Sequence, residues 1–233
     1  MVFYIKDGDI FNIPQIRNYA HGCNCAGAMG KGIAVQFKMR FPKMYEEYRN
    51  LCREGRFSAG EVFAYHDGES IIFNLGTQRS WKEKAKLEYI ETSLRKMMKI
   101  AQEEGVKAIA MPAVGAGLGG CDWNSIMQII NNIAHEVPSV DLYVIEHYSD
   151  QEINISYIRK EWPEDSTIFY IHFIGNEAVR QIEIREDKTI YLSIAHPVCE
   201  DSILYDQSMA QLDLTKEDYI TEDIFEKAWK DVD

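Results

Sequence analysis

The sequence predicts an α/β unit over residues 1–150 followed by a smaller acidic α+β unit over residues 151–233. Three observations predict it. Short apolar runs alternate with longer helical patterns up to about residue 147, the mark of a sheet with crossover helices. Beyond residue 167 the pattern turns to alternation of the β type. The charge shifts as well: residues 151–233 hold 19 acidic and 8 basic side chains, whereas residues 1–150 hold 18 and 17. The shift near His147–Glu152 marks a boundary between two segments of ordinary domain size.

In chain order, Val2–Ile5 and Asn18–Cys25 read as strands, and Gly30–Arg40 as a helix with Ile33, Ala34, Phe37 and Phe41 at helical spacing, closed by Pro42. A second helix is expected over Lys43–Arg53. Gly60–Tyr65 and Ser70–Leu75 read as strands joined through His66-Asp67-Gly68. Leu87, Ile90, Leu94, Met97, Met98 and Ala101 place an apolar stripe on a helix over Lys84–Glu104, ended by Gly105. Val106–Ala113 reads as a buried strand, Asp122 as the cap of a helix running to Glu136, and Val140–Glu146 as the last strand of the unit. Further on, a helix is expected near Ile153–Trp162. Strands at 168–173, 179–184 and 190–194 make a meander, the acidic tract Leu212–Asp223 reads as a solvated loop and helix start, and Thr221 caps a helix with Ile224, Phe225, Ala228 and Trp229 on its apolar face.

Composition excludes several classes. With 46% hydrophobic and 27% charged residues the chain is of the globular type. No apolar window approaches the ~18–20 residues of a membrane span, and Lys6, Asp7 and Asp9 stand where a signal peptide would be apolar, so a cytoplasmic location without membrane contact is expected. Five cysteines in such a chain argue for reduced thiols. A net charge of −12 repels phosphates at long range, so nonspecific nucleic-acid binding is not expected and any phosphate site must be local.

Two glycine-rich loops offer such a site. Asn24-Cys25-Ala26-Gly27-Ala28-Met29-Gly30-Lys31-Gly32 and Gly115-Ala116-Gly117-Leu118-Gly119-Gly120 each lie between a strand and a helix, where backbone amides can converge on an anion. Neither is an ATPase loop, because Gly32 follows Lys31 where Ser or Thr is required. The Gly115, Gly117, Gly120 spacing does match the dinucleotide fingerprint, with Glu146 ending the next strand, and this leaves an NAD-linked dehydrogenase as a remote reading.

These residues in this order resemble a macrodomain, the ADP-ribose-binding family. Gly8-Asp9-Ile10 is similar to the adenine-contacting motif, Ala20-His21-Gly22-Cys23-Asn24 to the strand beside the distal ribose, and the two glycine loops to the diphosphate clamps. His21 through Cys25, Met29 through Ala34, and Phe41-Pro42 resemble the branch containing ADP-ribose-1″-phosphate phosphatases and terminal ADP-ribose-protein glycohydrolases. The resemblance covers about the first 150 residues and implies a three-layer α/β/α fold with a mixed central sheet.

It also implies a site. Asp9 and Ile10 would meet the adenine; Met29, Gly30, Lys31, Gly32, Ile33 and Ala34 would hold phosphate, as would Gly115, Ala116, Gly117, Leu118 and Gly119; Thr77 and Gln78 would border the distal ribose. His21 and Asn24 are the catalytic candidates, His21 as general acid or base and Asn24 on the distal ribose hydroxyls. Each has a plainer alternative, His21 as a packed strand residue and Asn24 as a bond to its own loop backbone. The alternation of His21, Cys23 and Cys25 could hold zinc or supply a thiol nucleophile, but no fourth ligand is evident and no metal or cofactor is expected. Trp81, Tyr89 and Trp123 are further candidates at the pocket wall, with core packing the alternative.

Two departures from the glycohydrolase pattern stand out. Gln78 follows Thr77 where the family has a lysine, and Gly119 follows Leu118 where it has an aspartate, although Lys82 and Lys84 lie close in sequence. Glutamine cannot form the covalent sugar adduct that an amine can. The expected function is binding of ADP-ribose or an ADP-ribosylated substrate with hydrolysis at the distal ribose, a non-catalytic reader module being the alternative. For the acidic segment two readings stay open, a solubilising accessory domain and a module that recognises a protein partner or mimics nucleic acid.

Overall fold

The computed structural model describes residues 1–149, 154–162 and 166–230. The chain divides into two compact units, Met1–Glu152 and Ile153–Asp233. The boundary expected between residues 150 and 151 lies outside the described residues.

The first unit runs β1 (Val2–Gly8), β2 (Tyr19–Asn24), α1 (Ala34–Arg40), α2 (Pro42–Arg53), β3 (Val62–Asp67), β4 (Ser70–Gln78), α3 (Leu87–Glu103), β5 (Ala108–Pro112), α4 (Trp123–Glu136) and β6 (Asp141–Tyr148). Its sheet has the order β1-β6-β5-β2-β4-β3; only β3, joined to β4 by a hairpin, runs antiparallel. This mixed sheet carries helices on both faces, the layering that the resemblance implied. Ala20 belongs to the core shared with α3 and α4, while the next residue of the strand, His21, stacks on Phe37 of α1. Strand side chains alternate between faces, so β2 is sandwiched between the two helical layers. That is why its residues from Tyr19 to Asn24 are nearly all buried.

Local chemistry explains the element ends. Asp122 caps α4 by accepting from the Ser125 amide at 2.9 Å. Pro42 does not merely end α1: it occupies the first turn of α2, where no amide hydrogen is needed. α1 begins at Ala34, four residues later than the expected Gly30, because Gly32 sits at φ +61 and keeps the chain in a loop.

The second unit holds β7 (Ile155–Trp162), β8 (Thr167–Ile174), β9 (Glu177–Ile184), β10 (Thr189–Ser193), the short pair β11 (Val198–Cys199) and β12 (Ser202–Ile203), β13 (Tyr219–Ile220) and α5 (Glu222–Lys230). The meander of β8, β9 and β10 is present within a five-stranded sheet of order β10-β9-β8-β7-β13. Two expectations are corrected. The segment read as a helix near Ile153–Trp162 is strand β7 over its described part, paired antiparallel with β8 through eight residues. The tract Leu212–Asp223 is not simply solvated: Leu212 is in the core and β13 adds an edge strand beside β7. On α5, Phe225 is fully buried but Ile224 is 47% exposed, so the buried stripe is narrower than expected. Among the described residues no helix is long and apolar enough to cross a membrane.

Candidate functional site

β2 and β5 are adjacent and parallel, so the loops that follow them emerge side by side at the carboxyl end of the sheet. That edge is where open α/β sheets bind ligands. The two loops approach closely: a Cβ added to Gly32 would lie 3.3 Å from Cδ1 of Leu118. In the first loop, the amides from Met29 through Ala34 donate to no acceptor among the described residues. In the second, the same is true of Gly117, Leu118 and Gly119. A loop with unspent donors is a polarised surface for an anion. Two such runs on neighbouring loops suit a ligand with two linked phosphates.

Each loop is held by bonds that leave those amides unspent. Asn24, at the end of β2, donates from Nδ2 to the Ala28 carbonyl at 2.7 Å and accepts from the amides of Ala26 (2.9 Å) and Ala28 (3.3 Å). Tyr48 of α2 donates to the Asn24 carbonyl at 2.5 Å, and the Cys25 amide donates to Gln78 at 3.0 Å. The second loop closes on itself through Ala116 N to Ala113 O (3.2 Å), Gly120 N to Gly117 O (3.1 Å) and Cys121 N to Gly115 O (3.0 Å). Ala85 N, donating to Gly119 O at 3.1 Å, ties it to the segment before α3. Gly115 takes φ +84, a conformation that side chains rarely adopt.

Strand order sets what flanks the gap. Toward the β1 edge lies Asp9, 2% exposed, whose Oδ1 accepts from the Phe11 amide at 2.9 Å and whose Oδ2 lies 3.5 Å from Arg40. Arg40 in turn covers the Phe11 ring at 4.3 Å. On the other flank, beside β2, β4 ends with Thr77 and Gln78. Lys31 is exposed on the first loop, and Lys84 lies against the second, its Nζ 3.5 Å from where a Gly120 Cβ would stand. Neither lysine pairs with a carboxylate among the described residues.

Several expected roles need correction. His21 is fully buried, stacked on Phe37 at a centroid distance of 4.0 Å, and its Nε2 is 2.9 Å from Asn74 Oδ1. Asn74 donates its own amide to Phe63 and Ile72 carbonyls, so its oxygen must face His21 and the imidazole carries its proton on Nε2. Burial holds the imidazole down to about pH 4, against the opposing bond from Asn74. A neutral ring with no exposed atom cannot exchange protons with a substrate, so His21 is core rather than catalyst. Asn24, 6% exposed, spends its side chain on the first loop, the plainer of the two expected roles.

Ile10 and Met29 are core side chains, 0% and 2% exposed, and can meet a ligand only through backbone atoms. Thr77 is also buried, donating to the Cys23 carbonyl at 3.3 Å and packing on Gly22. The thiol-nucleophile reading fails for a related reason: burial raises the Cys23 thiol well above its ordinary range and pushes Cys25 up to about 12, so both stay protonated. Trp123 packs on the core with Nε1 3.4 Å from Glu146, whereas Trp81 is 63% exposed. Sequence reading missed Tyr48, Phe37 and Asn74, which anchor the first loop and enclose His21. The only signal for Tyr48 was its place on the apolar face of α2.

Comparison with known proteins agrees with this geometry. Residues 20–130 match the family model described as Macro domain. The "DNA ADP-ribosyl glycohydrolase" of Mycobacterium tuberculosis is 35% identical over 125 residues, 52% of this chain and 36% of that protein. The chain thus spans about a third of the length of the glycohydrolases of this type that it matches. The "ADP-ribose glycohydrolase OARD1" of Bos taurus is 31% identical over 132 residues, covering 57% of this chain and 83% of its own. Among solved structures, the "Macrodomain of Thermus aquaticus DarG" superposes with a TM-score of 0.59 at 33% identity, over 63% of this chain and 98% of that one.

Proposed function

The chain belongs to the macrodomain family, and on that premise we propose that it binds ADP-ribose across the carboxyl end of its first sheet and hydrolyses an ADP-ribose derivative at the distal ribose. The observation that carries this reading is the pair of loops after β2 and β5, which approach each other closely with their amide runs unspent. A diphosphate there would accept from both runs, each charge-assisted bond being worth about 1.5–3 kcal/mol. With the diphosphate so placed, Asp9 lies on the flank for the adenine amino group, which donates to a carboxylate that can only accept. The distal ribose then falls beside Gln78.

Chemistry at that ribose is constrained by what this chain carries. Gln78 stands where the resembling glycohydrolases have a lysine, so a route through an amine adduct is closed at this position. Hydrolysis here means attack by water on the anomeric carbon of an ADP-ribosyl bond, or on the phosphorus of a 1″-phosphate ester. The amide cradle fixes the leaving geometry by holding the diphosphate end, so that binding energy spent remotely positions the reacting centre. A second reading, recognition of ADP-ribose without turnover, is favoured by Gln78 and Gly119 taken together.

Calorimetric titration with ADP-ribose, followed by chromatography of ADP-ribose-1″-phosphate, an ADP-ribosylated peptide and an ADP-ribosylated oligonucleotide after incubation with the protein, tests both readings. Binding with release of phosphate or ADP-ribose is the expected result. Binding without release would leave only the reader function, and absence of binding would overturn both.

A further inference from the structure

We propose that the cavity between α2 and the first half of the Asn24–Gly32 loop is a second binding site, separate from the ADP-ribose cleft, for a nucleoside monophosphate unit. It is an open groove of about 960 Å³, along which Ala26, Glu46, Arg49 and Arg53 are exposed. Residues 26–28 line one side, and one face of α2 lines the other. That face follows from helical spacing: Tyr45, Arg49 and Arg53 are four residues apart, with Asn50 beside them.

The side chains there suit phosphate and a flat base at once. Neither Arg49 nor Arg53 pairs with a carboxylate among the described residues; Arg53 donates to Asn50 Oδ1 at 3.0 Å, and Arg49 lies over the Tyr45 ring at 5.7 Å. Lys38 approaches the same ring at 4.7 Å. Two guanidiniums one turn apart repel each other unless an anion lies between them, and their planar forks match phosphate oxygens. In a chain of net charge −12 such a face is a local exception. The Arg49 guanidinium, lying over the Tyr45 ring, offers a flat cation for a base to stack on, and the Asn50 amide can donate and accept at a base edge. Glu46 is the one acidic side chain lining the cavity, so the face stays net positive.

This site does not depend on the ADP-ribose reading, but it shares a loop with that cleft. Gly27 (φ +78) is seated directly on α2, with a built Cβ in ordinary contact with Cys52 and Arg49 at 3.6 and 3.7 Å. An occupant would touch residues 26–28, where Asn24 holds the Ala26 and Ala28 amides, while the amides of residues 29–34 stay unspent. The unit could come as a free nucleotide or as one residue of a single strand.

The test is calorimetric titration with uridine 5′-monophosphate and, in a second arm, a short single-stranded oligopyrimidine, each with and without saturating ADP-ribose. A pyrimidine lacks the adenine amino group that Asp9 would hold. Binding that persists with ADP-ribose present is expected; preference for the mononucleotide identifies a free ligand, and preference for the strand identifies a chain. The double variant Arg49→Gln/Arg53→Gln should lose at least about tenfold in affinity while its ADP-ribose titration is unchanged, and Glu46→Gln should gain severalfold, which no misfolded protein would do. Absence of binding at millimolar concentration, equal affinity in all three proteins, or displacement by ADP-ribose would overturn the proposal. A protein that binds no ADP-ribose but binds the pyrimidine nucleotide would refute only the cleft.

Discussion

Replacing Gly119 by alanine sets the backbone of the second loop against itself. The added Cβ would stand 2.5 Å from the Gly115 carbonyl oxygen, 2.9 Å from Gly115 Cα and 3.0 Å from Ala85 Cβ. Two of these neighbours are backbone, which cannot rotate away, so the loop must open. Overpacking of this kind costs about 1–3 kcal/mol, and loss of the Cys121-to-Gly115 bond adds about 1 kcal/mol. The sum, about 2–4 kcal/mol, corresponds to a fall in Tm of roughly 4–16 °C for a chain of this size. Gly117→Ala is the control, because nothing lies within 4 Å of its built Cβ; it should stay within about 0.5 kcal/mol of the parent. Thermal unfolding and ADP-ribose titration of both variants give the measurement. Equal Tm and equal affinity for the Gly119 and Gly117 variants would refute the steric reasoning. The same clash bears on the family's aspartate: Gly119→Asp should weaken binding rather than restore a catalytic carboxylate, since position 119 has room only for glycine.

Asn24→Ala removes three bonds that shape the first loop, and an affinity loss of about 10- to 100-fold for ADP-ribose is expected, with a urea-denaturation loss of about 2–3 kcal/mol. His21 titrates at about 4 in the folded chain against 6.5 unfolded, so the unfolded state takes up the proton first. Its contribution is fully present above pH 6.5 and is lost as pH falls toward 4, by up to about 3 kcal/mol. The urea midpoint of His21→Gln should therefore fall less steeply across that window than the parent's, while its turnover at pH 7 matches the parent's. Gln78→Lys places an amine at the end of β4 and should raise release of ADP-ribose from an ADP-ribosylated oligonucleotide, read by chromatography; unchanged release would argue that the distal ribose lies elsewhere.

Periodicity made the first unit legible because its elements obey one pattern each: the 87–101 stripe can only be a half-buried helix, and Asp122 caps the next helix, α4, as its chemistry requires. The segment 155–162 misled because Ile155, Ile158 and Trp162 satisfy helical spacing, while the pairing with β8 that decides the matter lies in another part of the chain. The loops were legible from their glycines. Which side chains face the ligand was not, because β2 is buried on both faces and the sequence does not say that Phe37 and Asn74 close over His21. For Asn24, whether its amide serves a ligand or the loop depends on the turn geometry that only the structure supplies.

The central claim is that two runs of backbone amides, 29–34 and 117–119, grip one diphosphate. Amide chemical shifts recorded during titration with ADP-ribose, with ribose 5-phosphate as a competitor lacking the second phosphate, test it residue by residue. Large shifts confined to both runs and to the Asp9 flank, with ribose 5-phosphate displacing ADP-ribose only at far higher concentration, are the expected outcome. Shifts in one loop alone, or equal competition by the monophosphate, would contradict it.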